Sequence, residues 1–127
     1  MLTSAAAVGV GAAAGALLRW RLSVWLNPLS TGVPPGTLVA NVAGGYLVGL
    51  ALAWFAEQPG LAPEWKLFVI TGFLGGLTTF STFSAEVMSA LQQGRIGSAL
   101  ATVALHLAGS LLATWAGFAT VHGLGRA

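Results

Sequence analysis

The segment Gly72-Phe73-Leu74-Gly75-Gly76-Leu77-Thr78-Thr79-Phe80-Ser81-Thr82-Phe83-Ser84 lies in the middle of a long apolar run, and no ordinary lipid-facing helix is built this way. A membrane helix needs about 20 mostly apolar residues. The run 65–91 is long enough, and its glycine pair followed by two threonines predicts a helix broken near its middle. At that depth a break is tolerated only where protein, water or an ion takes up the released backbone groups. Two readings stand side by side here. Freed carbonyls are hard oxygen ligands suited to a small cation such as Na⁺. Alternatively, a glycine kink leaves the threonines to satisfy their own backbone.

Working outward, three further apolar runs cover 4–26, 37–55 and 96–121. Asn27-Pro28 and Gly32-Val33-Pro34-Pro35-Gly36 separate the first two, Glu57 to Glu64 the second and third, and Gln92-Gln93-Gly94-Arg95 the last two, all turn-forming segments. The expectation is an all-α integral membrane protein of four transmembrane helices, one membrane domain over 1–127. No connection is long enough for a soluble catalytic domain. Composition agrees: 56% of the 127 residues are hydrophobic and 6% charged, with mean hydropathy +0.84. Cysteine is absent, which removes disulfide frameworks and thiolate metal sites. Basicity reflects five Lys and Arg against three Asp and Glu, a shortage of charge and no basic patch, so nucleic acid is not an expected partner. The first run lacks the charged region and small-residue cleavage site of a signal peptide, and is expected to remain as a membrane helix.

Loop charges are nearly balanced, with Lys66 and Arg126 on one side and Arg19, Arg21 and Arg95 on the other. Orientation follows that bias, so such a chain can insert both ways, and an antiparallel dimer of oppositely oriented copies becomes a serious expectation. Gly44, Gly45 and Gly49 on the second run are of the kind that lets helix backbones approach closely.

Polar residues inside the spans should face protein or a water-filled path. Thr102, His106, Ser110 and Thr114 recur every four residues on the fourth run and share one helix face. Thr37 and Asn41 have the same spacing and lead to Gly45. One hydroxyl of this kind is ordinarily an interhelical hydrogen bond; four in register point to a pathway. On the third run Phe80, Phe83 and Glu86 follow at intervals of three. An aromatic ring has a positive edge, so the two phenylalanines can stabilise a small anion without a full charge while Asn41 and the hydroxyls donate to it. Mid-span Lys or Arg is absent, consistent with an ion that must leave again.

The stretch Gly75-Gly76-Leu77-Thr78-Thr79-Phe80-Ser81-Thr82-Phe83, with Thr37-Leu38-Val39-Ala40-Asn41 upstream, resembles the CrcB/Fluc fluoride channels. The resemblance covers the whole chain in length and span count. It implies a fluoride-selective channel in the bacterial inner membrane, a dual-topology homodimer with two pores that passively exports fluoride and protects the cell from its toxicity. Fluoride selectivity rests on this resemblance. It further implies a structural Na⁺ at the dimer centre held by the carbonyls of Gly75 and Thr78. Phe80 and Phe83 correspond to pore phenylalanines and Asn41 to the pore asparagine. Ser81, Thr37, Ser110 and Thr114 would line the polar path, with Glu86 and His106 joining it and Arg19 near an aqueous vestibule. His106 and Tyr46 depart from the tyrosine and phenylalanine of the family pattern.

Other classes fit less well. A small multidrug transporter would need a carboxylate embedded in the first helix, which has none. A nonconducting assembly subunit leaves the placement of Phe80 and Phe83 unexplained. An enzyme is not expected, because no nucleophile triad, carboxylate pair or metal cluster occurs at useful spacing.

Overall fold

A backbone in hydrocarbon can satisfy its polar groups only within itself, and the apolar runs accordingly form helices. The computed structural model describes residues 1–125; Arg126, counted above among the loop charges, lies outside them. The elements are α1 (Leu2–Leu26), α2 (Pro35–Ala56), α3 (Pro63–Lys66) continuing into a π-helical stretch (Leu67–Leu74), α4 (Gly75–Leu77), α5 (Phe80–Gln92) and α6 (Ile96–Leu124). Four spans are long and apolar enough to cross a membrane, the third running Pro63–Gln92. The 25 residues of α1 extend about 38 Å at 1.5 Å per residue, against a hydrocarbon core of about 30 Å.

Local chemistry sets the ends. Pro35 opens α2 at a position where a missing N–H costs nothing. The next two amides, Gly36 and Thr37, donate to Asn27 Oδ1 at 2.7 and 3.3 Å, a cap delivered from the turn after α1. α5 ends on Gly94, with φ of 74°, while the Arg95 N–H donates to the Ala90 carbonyl at 2.8 Å and the Gly94 N–H to Leu91 at 3.0 Å. This paired closure needs the left-handed conformation that glycine adopts without a Cβ penalty. Arg95 Nη1 then donates to the Thr31 carbonyl at 2.7 Å, joining two loops at one end of the bundle.

α2 packs along α6, and α1 along the π-helical stretch. The approach of α1 is backbone to backbone: a Cβ on Gly15 would collide with the Phe73 carbonyl and meet Leu77 N at 2.7 Å. A small core of Ala40, Leu74 and Leu77 lies between α2 and the third span. Trp20 and Trp25 stand exposed at one end, with the Arg21 guanidinium 4.5 Å from the Trp25 ring. Trp54 and Trp65 stand exposed at the other end. These are the amphipathic anchors expected at the two interfaces. Four spans with the third interrupted bear out the sequence expectation, whereas the π-helical winding had no announcement in residue spacing.

Candidate functional site

The third span breaks at Thr78 and Thr79, both extended, between α4 and α5. Breaking a helix orphans amides and carbonyls, and side chains recover most of them. Asn41 on α2 acts as a substitute peptide: its Oδ1 accepts from Thr79 N at 2.8 Å and its Nδ2 donates to the Thr79 carbonyl at 3.0 Å. Thr78 Oγ1 donates back to the Leu74 carbonyl at 2.8 Å. Thr79 Oγ1 caps α5 by accepting from Thr82 N at 3.1 Å. Arg19 Nε donates to the Gly76 carbonyl at 3.0 Å, so this arginine belongs to the broken span and leaves the loop charge count. The remaining loop cations, Lys66 against Arg21 and Arg95, are still close to balance among the described residues.

Gly44 gives the break room, since a Cβ there would run into the Thr78 methyl. The kink reading therefore holds for the Thr78 hydroxyl, while the Gly75 and Thr78 carbonyls remain in the situation that suits a cation. In an unbroken helix they would accept from Thr79 N and Thr82 N, and both amides are engaged elsewhere. Two hard oxygens freed at one break fit a small cation. No group of three or more His, Cys, Asp or Glu that could hold a metal occurs among the described residues.

A cleft of about 450 Å³ opens beside the break, lined by Asn41, Thr79, Phe80, Phe83, His106 and Ser110 among others, with Gly75 and Thr78 on its wall. Among the described residues its lining contains no Lys, Arg, Asp or Glu. Three rings step inward through it. Phe80, 73% exposed, meets the buried Phe83 edge to face at 5.4 Å and 68°. Phe83 lies against the His106 ring at 4.6 Å and 31°. Asn41 Nδ2 stands 2.9 Å from His106 Nδ1, tying the rings to the break.

One turn away, Thr37 Oγ1 donates to Glu86 Oε1. Glu86 also lines a second cavity of about 250 Å³ with Ser89, Arg95 and Thr102. Two buried polar atoms have no partner among the described residues, Glu86 Oε2 and His106 Nε2. The two threonines of the α6 stripe are occupied. Thr102 Oγ1 donates to its own helix at Ser98, and Thr114 Oγ1 to the carbonyls of Gly45 and Ser110, both at 2.9 Å. Ser81 is exposed, its hydroxyl 3.3 Å from Thr79 Oγ1. Spacing set Asn41, the Phe80–Phe83 pair and the His106–Ser110 pair on faces of three separate helices, the resemblance implied one pore for them, and the fold lines one cleft with all five. Sequence reading missed the grip of Asn41 on Thr79, the Arg95 and Ser89 side of the second cavity, and the Tyr46–Thr120 hydroxyl pair at 3.0 Å. The Asn41–Thr79 and Tyr46–Thr120 contacts join residues far apart in the chain, beyond the reach of helical periodicity.

Over residues 6–118 the chain matches the family described as CrcB-like protein, Camphor Resistance (CrcB). It is 61% identical over 122 residues to a protein named fluoride-specific ion channel FluC from Pseudomonas putida (strain W619), covering 96% of each chain. Proteins of the same name show similar likeness: that of Pseudomonas aeruginosa (strain UCBPP-PA14) is 60% identical over 117 residues, 92% of each chain. That of Thiobacillus denitrificans (strain ATCC 25259 / T1) is 62% identical over 119 residues, 92% of this chain and 94% of its own.

Proposed function

Because this chain belongs to the CrcB-like family, we propose that it is a fluoride-selective ion channel through which fluoride leaves the cell passively, protecting it from fluoride toxicity. The observation that carries this reading is the cleft beside the break, where ring edges and neutral polar groups meet at mid-span with no charged side chain in the lining among the described residues. A positive ring edge and a hydrogen-bond donor attract a small anion. Neither holds it as an ion pair would, and conduction requires attraction weak enough for release. Phe80 and Phe83 present the ring edges. Thr37, Asn41, Ser81, Ser110 and Thr114, with His106 and Glu86, form the polar surroundings, and Arg19 steadies the break from α1. Fluoride that entered as the neutral acid and ionised inside would leave this way down its gradient, across the bacterial inner membrane.

The working unit in this reading is a homodimer of oppositely oriented copies embedded in lipid, with one pore per cleft. The cleft is open on one side and exposes Phe80 at membrane depth, which a second copy would cover. Near balance of loop charge supports both insertions. A structural Na⁺ between the copies would be held by the Gly75 and Thr78 carbonyls, where its charge would draw together two backbones that otherwise present only oxygens.

Fluoride efflux from liposomes holding the purified protein tests the function, with chloride as the competing ion and Phe80→Ile as the variant. Fast fluoride loss, little chloride loss and a slowed variant are expected. Correctly assembled protein that releases neither anion would overturn the reading.

A further inference from the structure

A guanidinium carries a fork of N–H donors and no acceptor, so an arginine at a membrane needs oxygens to receive them. Arg19 and Arg95 find theirs inside the protein, at the Gly76 carbonyl and at Gln93 and Thr31. Arg21 makes no hydrogen bond or ion pair among the described residues. Its guanidinium lies over the rings of Trp25 at 4.5 Å and Trp20 at 5.8 Å. Rings at that range stabilise the charge and hold the planar group, but they offer no lone pair to its N–H groups.

Helical geometry keeps Arg21 from turning inward. Each residue advances about 100° round the axis, so Arg21 points about 200° away from Arg19, which faces the broken span. It stands five residues before Leu26, the last of α1, or about 7.5 Å along a helix longer than the hydrocarbon core is thick. Headgroup phosphates begin at this depth, and the exposed tryptophans mark the same level. Toward the membrane centre, Leu17, Ala14 and Val10 continue the face at steps of four, seven and eleven residues from Arg21, all exposed and apolar. Among the described residues no α1 side chain lines the cleft that a second copy would cover, which leaves this face to lipid.

We propose that Arg21, braced by Trp20 and Trp25, binds the headgroup phosphate of an anionic phospholipid whose acyl chains lie along Leu17, Ala14 and Val10. The guanidinium fork matches two phosphate oxygens. A zwitterionic choline headgroup would bring its own cation toward Arg21 and compete for the indole rings, so a headgroup with no cation beyond the phosphate fits better. Lys66, exposed at the other end of the bundle, supplies the contrast. It is a flexible, strongly hydrated point charge with no fork, and no ring lies over it among the described residues.

The test is mass spectrometry of the intact protein in detergent, titrated with phosphatidylglycerol or with phosphatidylcholine and read as the fraction carrying lipid. Phosphatidylglycerol is expected to bind about 5-fold more tightly than phosphatidylcholine, and Arg21→Gln to lose about that factor, the worth of one interfacial arginine. Arg21→Lys should fall between the two, and Lys66→Gln should bind as the wild type does. Equal binding of the two lipids, or wild-type phosphatidylglycerol binding in Arg21→Gln, would overturn the proposal. So would a loss in Lys66→Gln as large as in Arg21→Gln, which would mark general attraction to charge. Displacement of the lipid by equimolar inorganic phosphate would reduce the site to a free-anion site and overturn the lipid assignment. Should Arg21→Gln melt early without added lipid, the comparison of lipids and the Arg21→Lys variant decide.

Discussion

Two parts of the same α2–α6 contact use polar atoms in opposite ways. Around Gly45 and Thr114 the hydroxyl closes on carbonyls of both helices at 2.9 Å, and Tyr46 pairs with Thr120 at 3.0 Å. These atoms hold helices together. One to two turns along, around Asn41 and His106, the polar atoms are directed at the broken span and one nitrogen remains without a partner among the described residues. The lesson is that a polar face of correct period becomes a pathway only where nearby backbone does not absorb its hydrogen bonds. Near Gly45 the intact helices present carbonyls for threonine; near Asn41 the break presents a whole peptide, which the amide takes up.

The sharpest way to break this contrast is Asn41→Leu. It leaves the Thr79 N–H and carbonyl unpaired, at about 1–3 kcal/mol for each buried group. Fluoride efflux should fall to background and thermal unfolding should come earlier; wild-type flux from this variant would show that the break holds itself. Next in size is Arg19→Gln, which removes a cation from the orphaned Gly76 carbonyl at the C-terminal end of α4. A loss of about 1–2 kcal/mol is expected, read by denaturation in detergent, with flux reduced by less than in Asn41→Leu. Equal stability of mutant and wild type would mean that the contact is incidental.

Smaller still, Thr114→Val should cost about 0.6 kcal/mol, the usual worth of an interhelical hydrogen bond in a membrane, with flux nearly unchanged. A large loss of flux from a stable Thr114→Val protein would place that hydroxyl on the ion path and erase the distinction between the two parts. Thr102→Val should change stability by no more than about 0.5 kcal/mol, because its hydroxyl serves only its own helix. Any marked flux change there would instead mark the second cavity, which Thr102 lines with Glu86 and Arg95, as part of the route.

Legibility in the sequence followed the range of the interaction concerned. Gln92-Gln93-Gly94 announced the end of α5 because a glycine closure is decided within a few residues. Gly75-Gly76-Leu77-Thr78-Thr79 announced the break, and the three-residue step from Phe80 to Phe83 put both rings on one face, where they meet at 5.4 Å. The Asn27 cap on α2 was not legible, since Asn27 reaches Gly36 across a loop whose path no local pattern specifies. Nor was the contact of Arg19 with the Gly76 carbonyl, which joins residues 57 apart in the chain.

By itself, then, the sequence determined the number of spans, the site of the break and the set of polar residues that share a face. Hydropathy and periodicity settle these because a bilayer leaves the backbone no option but helix, and a helix turns side chains by a constant angle. Tertiary structure alone decided which of those polar atoms are consumed and which stay free. A hydrogen bond needs a partner within about 3 Å, and for Asn41, Thr79 and His106 that partner comes from another helix.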